Sequence, residues 1–272
     1  MRPGSLAPGA SAAPSRASLQ IGAIVGEGLR LSALLGVGGM SQVWRAESEG
    51  RVVAVKLARD DLAAEPVAHE LIRREHALLE RFAQPHVVAA RGLIEVNGCP
   101  ALMMEYCGGG DLVSLLGVPA AAWARPAAAI ARALAGIHAR GWVHRDVKPR
   151  NVLFSAAGSP RLADFALAAP IGAPTARRGG TAPYQRSGRP ARFASVHDDV
   201  HAFAVTLHAL MSGKLPFAGT DRPRPPRGRG SMGGGAPKAL TELTVRALGA
   251  PQAVGSVWPF VDVLESLFAD CR

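Results

Sequence analysis

The 272-residue chain has little cysteine: three residues, at positions 99, 107 and 271, with no C-x-x-C spacing. That excludes a disulfide framework and makes a reducing, cytoplasmic compartment the default expectation. Aromatic residues are also scarce, at 5% of the chain, and they do not interleave with the basic runs. Base-stacking platforms are therefore missing, and no specific nucleic acid is expected as a partner. No uninterrupted apolar run reaches about 18 residues, so no membrane span is expected. Acidic side chains are in deficit, 21 against 31 Lys and Arg, for a formal charge of +10. The excess favours anionic partners, although a plain compositional bias toward Arg accounts for it equally well. The first twenty or so residues lack the apolar core of a signal peptide. They are rich in Pro, Ala, Ser and Gly, and residues 1–28 are expected to be a disordered lead-in.

What is present is enough apolar material, 48% of residues, to bury a sizeable core, as one two-lobed domain or two small ones. Within it, His144-Arg145-Asp146-Val147-Lys148-Pro149-Arg150-Asn151 follows a strand-like Gly141-Trp142-Val143. An Asp, a Lys and an Asn so close together suit chemistry on a phosphate. The carboxylate can orient or accept a proton from a hydroxyl, the ammonium can neutralise phosphoryl charge, and the amide oxygen can hold a hard cation. Taken singly, each is also an ordinary residue of a solvated loop.

Other stretches extend this chemistry. Leu31–Trp44 reads as a hairpin whose Gly36, Gly38 and Gly39 let backbone amides approach a phosphate, since no Cβ intervenes. Arg51–Leu57 alternates as a strand and carries Lys56. In residues 65–82, Leu71, Ile72, Glu75, Leu78, Leu79 and Phe82 recur at helical spacing, which puts Glu75 on the apolar stripe. A carboxylate there needs a cation, and Lys56 is the natural one; Glu70 is the rival and fits the period less well. Strands are expected near 87–96 and 100–105, the second running into a glycine linker, Cys107-Gly-Gly-Gly-Asp111. An Ala-rich helix is expected from 119 to 140.

The octapeptide resembles the catalytic loop H-R-D-x-x-x-x-N of protein kinases. In the same order, Gly36-Val-Gly-Gly-Met-Ser41-Gln-Val43 resembles the glycine-rich loop of bacterial serine/threonine kinases, with Ser41 where a third Gly would stand. Val53-Ala54-Val55-Lys56 resembles V-A-I-K, Asp164-Phe165-Ala166 resembles D-F-G, and Gly180-Thr181-Ala182-Pro183-Tyr184 matches G-T-x-x-Y. The chain is thus similar to Hanks-type serine/threonine protein kinases from about Leu31 to Phe217. The resemblance implies a bilobal α+β fold over residues 29–270. An antiparallel five-stranded sheet with one helix would form the N-lobe (29–106), and a mainly helical C-lobe (107–270) would carry a disordered insert at 219–238.

It also implies ATP with Mg2+ or Mn2+, and protein substrates presenting Ser or Thr. Asp146, Lys148, Lys56 and Glu75 would be catalytic, and Asn151 and Asp164 would bind the metal. Leu35, Gly36, Gly38, Gly39, Ser41, Val43, Ala54, Lys56, Met104, Glu105, Cys107, Asp111 and Leu153 would surround the nucleotide. Asp199 would hold the catalytic-loop backbone, unless it or Asp198 is only a helix N-cap. Thr175, the only Ser or Thr in Leu167–Gly180, would be a possible phosphosite, because kinases with an Arg before the catalytic Asp commonly order this loop through a phosphate.

Two departures matter. Ala166 replaces Gly and disfavours a positive φ. The A-P-E element is absent: Gln185-Arg-Ser-Gly188 has no Glu, and its usual Arg partner near Ala250–Ser256 is missing too. Losing both partners of a buried pair can be nearly neutral. These changes favour one rival, a pseudokinase scaffold that binds nucleotide or a partner without turnover. A small-molecule phosphotransferase of the antibiotic-kinase kind is a second rival, which the G-T-x-x-Y stretch opposes. The substrate, the signal and the oligomeric state are not legible.

Overall fold

A computed structural model describes residues 19–175, 181–186, 193–216 and 237–269. Its N-terminal part is a sheet of strands β1 (Ile24–Val25), β2 (Leu29–Val37), β3 (Ser41–Ser48), β4 (Arg51–Ala58), β5 (Ala90–Val96) and β6 (Cys99–Glu105). One helix, α1 (Pro66–Arg81), lies between β4 and β5 in sequence. The sheet is antiparallel and six-stranded, in the order β1-β2-β3-β4-β6-β5. The additional strand corrects the expected five. It also corrects the lead-in at 1–28: Val25 is buried, and Leu19 and Ala23 pack on the same cluster. The reason is the sheet's outer face, where Leu31, Trp44, Val53, Val55, Ala101 and Met103 need an apolar cover.

Strand β4 is buried on both faces. Val53, Val55 and Leu57 join that outer cluster, whereas Ala54 belongs to the main core with Leu102, Met104 and Ile72 of α1. The pairing register places Val43 opposite Lys56 opposite Leu102, and Arg45 opposite Ala54 opposite Met104. Residues directly opposite share a face, so Val43, Ala54, Lys56 and Met104 all look the same way.

The C-terminal part is helical: α2 (Ala120–Ala139), α3 (Val196–Ser212), α4 (Lys238–Gly249) and α5 (Trp258–Ala269). Helix α3 is the most enclosed, with Phe203 against Phe260 of α5 in an edge-on ring contact. Short strands β7 (Trp142–Val143) and β10 (Ala169–Pro170) pair with each other, as do β8 (Val152–Phe154) and β9 (Pro160–Leu162). Helix α3 starts on a capping box between Ser195 and Asp198, so neither Asp198 nor Asp199 is its N-cap. The insert expected at 219–238 lies outside the described residues up to 236, and its last residue, Lys238, opens α4. Arg177, Arg178, Gly180 and Gly188 also lie outside the described residues.

The glycine linker from β6 to α2 is held by backbone hydrogen bonds to β8. The Gly109 N–H donates to the Phe154 carbonyl (2.9 Å), and the Gly110 carbonyl accepts from the Phe154 N–H (2.8 Å). A Cβ on Gly109 would stand 2.7 Å from the Ser155 carbonyl oxygen and 2.9 Å from the Phe154 Cβ. Glycine is needed here for close backbone approach.

Candidate active site

Lys56 projects from the inner face of β4 toward α1. Its Nζ lies 2.7 Å from Glu75 Oε2 and 2.9 Å from Asp164 Oδ1. Glu75 is 2% exposed and Glu70 is exposed, so the apolar stripe of α1 selects Glu75. Burial works against the ammonium, but Glu75 and then Asp164 hold the Lys56 pKa above the ordinary lysine value. Burial likewise opposes charge on Asp164, and Lys56 overrides it, keeping that carboxyl below the usual carboxylate range.

The catalytic-type loop hangs from α3. Asp199 is fully buried and accepts the His144 N–H (2.8 Å), the Arg145 N–H (2.7 Å) and His138 Nε2 (2.8 Å). Those two amides fix a turn in which Arg145 takes a left-handed φ of 69°. Asp146 then emerges with four donors around its carboxylate. Lys148 Nζ (2.6 Å) and Asn151 Nδ2 (2.9 Å) reach Oδ2, and the Thr181 N–H and Oγ1 (both 3.1 Å) reach Oδ1. Lys148 Nζ also donates to Thr181 Oγ1 at 2.7 Å. Thr181, 35 positions further along the sequence, thus joins Lys148 and Asn151 on one carboxylate.

Phe165 is fully buried between Phe82, the C-cap of α1, and the His144 ring, whose centroid is 4.8 Å from its own. The Phe165 N–H donates to Glu75 Oε1 at 3.3 Å. The left-handed residue of Asp164-Phe165-Ala166 is Asp164, with φ 65°, and Ala166 has no positive φ. The expected conflict at Ala166 is therefore absent, because the left-handed residue stands two positions earlier than the missing glycine.

The residues that the resemblance expects around a nucleotide lie on β2, β3 and the turn between them, β4, β6, the linker after it and β8. Gly38 and Gly39 form the tip between β2 and β3, where the Gly38 N–H closes on the Ser41 carbonyl at 2.7 Å, and Gly36 stands opposite Val43. Leu35 is exposed, as are Gly36, Gly38 and Gly39, and Ser41 and Val43 are half-buried. Ala54 and Met104 are buried neighbours in register, and Leu153 of β8 is half-buried across from them in the same cluster. Glu105 commits its N–H to the Ala89 carbonyl (2.9 Å) and its carboxylate to Arg161 (3.1 Å). Burial pushes the Cys107 thiol up to about 11. Asp111 accepts the Val113 N–H (3.0 Å) with one oxygen, capping a short 3-10 turn.

Four features went unseen in the sequence. His138 shares Asp199 with the loop, Arg161 pairs with Glu105, Arg186 pairs with Asp198 (3.6 Å), and Arg74 reaches backbone carbonyls beyond Phe165. Apart from the Arg and Asp residue types themselves, nothing in the spacing pointed to them.

Comparison with known proteins is decisive for the family. A model described as protein kinase domain matches residues 29–226. The chain belongs to the protein kinase family. It is 34% identical over 201 residues to serine/threonine-protein kinase PknE of Mycobacterium tuberculosis, covering 70% of this chain and 36% of that protein. It is 34% identical over 221 residues to serine/threonine-protein kinase PknA of the same species, covering 74% and 51%. A probable serine/threonine-protein kinase of Corynebacterium efficiens is 32% identical over 216 residues, covering 72% and 32%. The chain thus spans between about a third and a half of the length of these relatives. Among the described residues, no helix of this kinase-family chain is long and apolar enough to cross a membrane.

Proposed function

We propose that this chain transfers the γ-phosphoryl group of ATP to Ser and Thr hydroxyls of proteins, its own included, in a reducing compartment. The observation that carries the reading is the convergence on Asp146 of Lys148, Asn151 and Thr181, beside an assembled Lys56–Glu75–Asp164 group. Asp146 accepts the hydrogen bond of the incoming hydroxyl and aims it in line with the phosphorus. In the arrangement described, the Thr181 hydroxyl occupies an acceptor position on that same carboxylate, a hydroxyl-sized slot. Lys148 stabilises the transferring group, and Lys56, kept charged and aimed by Glu75, binds the α- and β-phosphates.

A divalent cation fits the donor set. Asn151 turns its Nδ2 to the Asp146 carbonyl and carboxylate (2.8 and 2.9 Å), and no described group donates to its Oδ1. Asp164 commits one oxygen to Lys56 and is 39% exposed. Two hard oxygens in reach of phosphate suit Mg2+ or Mn2+, which when bound supplies positive charge to the β- and γ-phosphates. The hairpin 36–41 covers the phosphates, while Ala54, Val43, Met104 and Leu153 form the apolar walls for adenine. Cys107, whose peptide groups make no backbone hydrogen bond among the described residues, offers them to the adenine edge, and Asp111 has one oxygen for a ribose hydroxyl.

The test is transfer from γ-labelled ATP with Mg2+ or Mn2+, to the chain itself and to a generic basic protein. Asp146→Asn and Lys56→Met are each expected to lower kcat by roughly two to four orders of magnitude, with label on Ser or Thr in the parent chain. Metal-dependent nucleotide binding without any transfer would replace this reading with the pseudokinase.

A further inference from the structure

Helix α1 contacts the stretch after Asp164 with two adjacent residues of opposite charge. Glu75 accepts the Phe165 N–H. Arg74, one residue earlier, donates Nη1 to the Ala166 carbonyl (2.9 Å) and Nη2 to the Ala168 carbonyl. From the other side, Arg145 Nη1 donates to the Leu167 carbonyl at 3.3 Å. Three consecutive carbonyls, 166, 167 and 168, are therefore held by two guanidinium groups, one from the N-lobe helix and one from the catalytic loop. The Ala168 N–H closes the turn on the Phe165 carbonyl at 3.0 Å.

The chemistry is specific to arginine. A planar fork spans two carbonyls at once, which a single ammonium cannot do in a fixed geometry. Charge-assisted bonds to carbonyl oxygens belong to the stronger class of protein hydrogen bonds. Both side chains are half-buried, which limits screening. The stretch they hold includes the turn that follows Asp164, whose left-handed φ of 65° needs its surroundings to over-determine it. Moving α1 away would break the bonds of Arg74 and Glu75 together, and Lys56 would lose Glu75.

We infer that Arg74 is a positioning residue: with Arg145 it locks residues 166–168 to α1 and the catalytic loop, so that the phosphotransfer geometry stands without a phosphate on Thr175. This inference rests on the kinase reading above and deepens it by assigning how the site is held. It gives Arg145 a main-chain partner in the segment where the family resemblance assigns it a phosphate.

The experiment uses the full chain, dephosphorylated and checked by mass, as the parent, Thr175→Ala, Arg74→Ala and Arg74→Lys. Dephosphorylated parent and Thr175→Ala are expected to share one kcat within about twofold. Arg74→Ala is expected to lose kcat by roughly tenfold or more, with ADP affinity and melting temperature nearly unchanged. Arg74→Lys, keeping one contact, is expected to fall between. A loss in Thr175→Ala as deep as in Arg74→Ala, or full kcat in Arg74→Ala, overturns the inference. Amide hydrogen exchange across 165–169 reads the clamp independently of turnover, with exchange expected to rise about tenfold in Arg74→Ala. If the parent transfers no phosphate, the kinase reading fails by itself, and unchanged exchange would then overturn the clamp as well.

Discussion

Single side chains in this protein carry opposed demands, and the buried histidines are the clearest case. His201 on α3 is pushed down to about 4, first by burial and then by the charge of Arg186, against the carbonyls of Ala247 and Gln185. Burial lowers His144 and His208 too. An unfolded chain takes up these protons near pH 6.5, about the ordinary histidine value. The folded chain refuses them until lower pH, so it binds fewer protons across that window. The stabilisation is complete above about pH 6.5 and drains away as the pH falls toward 4, the His201 value. Melting temperature should therefore drop between pH 7.5 and 5, and His201→Gln should flatten part of that slope whatever it does to the absolute value. A melting temperature that holds level on acidification would refute this account. At this scale the sequence was most informative where residue type and spacing act together: the structure brings Lys56 to Asp164, and Lys148 and Asn151 to Asp146. Arg74 and His138 stayed hidden because a main-chain carbonyl or a shared carboxylate can be reached from many positions and leaves no pattern.

Elements were legible where a period ran long enough. The stripe of α1 gave both the helix and the face of Glu75, and the Ala-rich run gave α2 within a residue at each end. Strands and the glycine linker were harder. Three consecutive glycines read as freedom, yet Gly109 is pinned against β8 by contact distances that leave no room for a methyl group. Gly109→Ala should cost about 1–3 kcal/mol in stability by overpacking, and it should weaken nucleotide binding, since the linker runs on from Glu105 and Cys107. Urea denaturation and ADP titration would check the two effects. A variant as stable as its parent would mean the linker gives way freely.

At the scale of the whole molecule, the fold class was legible from motif order, and the domain's N-terminal edge was not. A two-residue strand between Ala23 and Gly26 carries no period, so Ile24–Val25 could not be seen from sequence. Its reason lies in the outer face of the sheet, a tertiary demand. Deleting residues 1–28 should uncover Leu31, Trp44 and Val53 and cost roughly 2–4 kcal/mol, the worth of burying one or two apolar side chains. A cut after residue 18 keeps the described covering residues Leu19, Ala23 and Val25, and comparing the two truncations by chemical denaturation would check their contribution.

The two-faced burial of β4 has a consequence for how reliably the chain finds its structure. In a half-exposed strand a slip of one residue turns the apolar set toward water, and the penalty arises on the one buried face. Here a slip would drive the Lys56 ammonium into the apolar layer of Trp44 and Met103, and would turn Val55 toward Glu75. Neither side of the sheet tolerates the exchange, because a buried charge without a partner costs several kcal/mol. The lysine proposed to bind the nucleotide thus also acts as a proofreading mark for the folding chain: a misaligned N-lobe is disfavoured by the same lysine that pairs with Glu75 in a correctly aligned one.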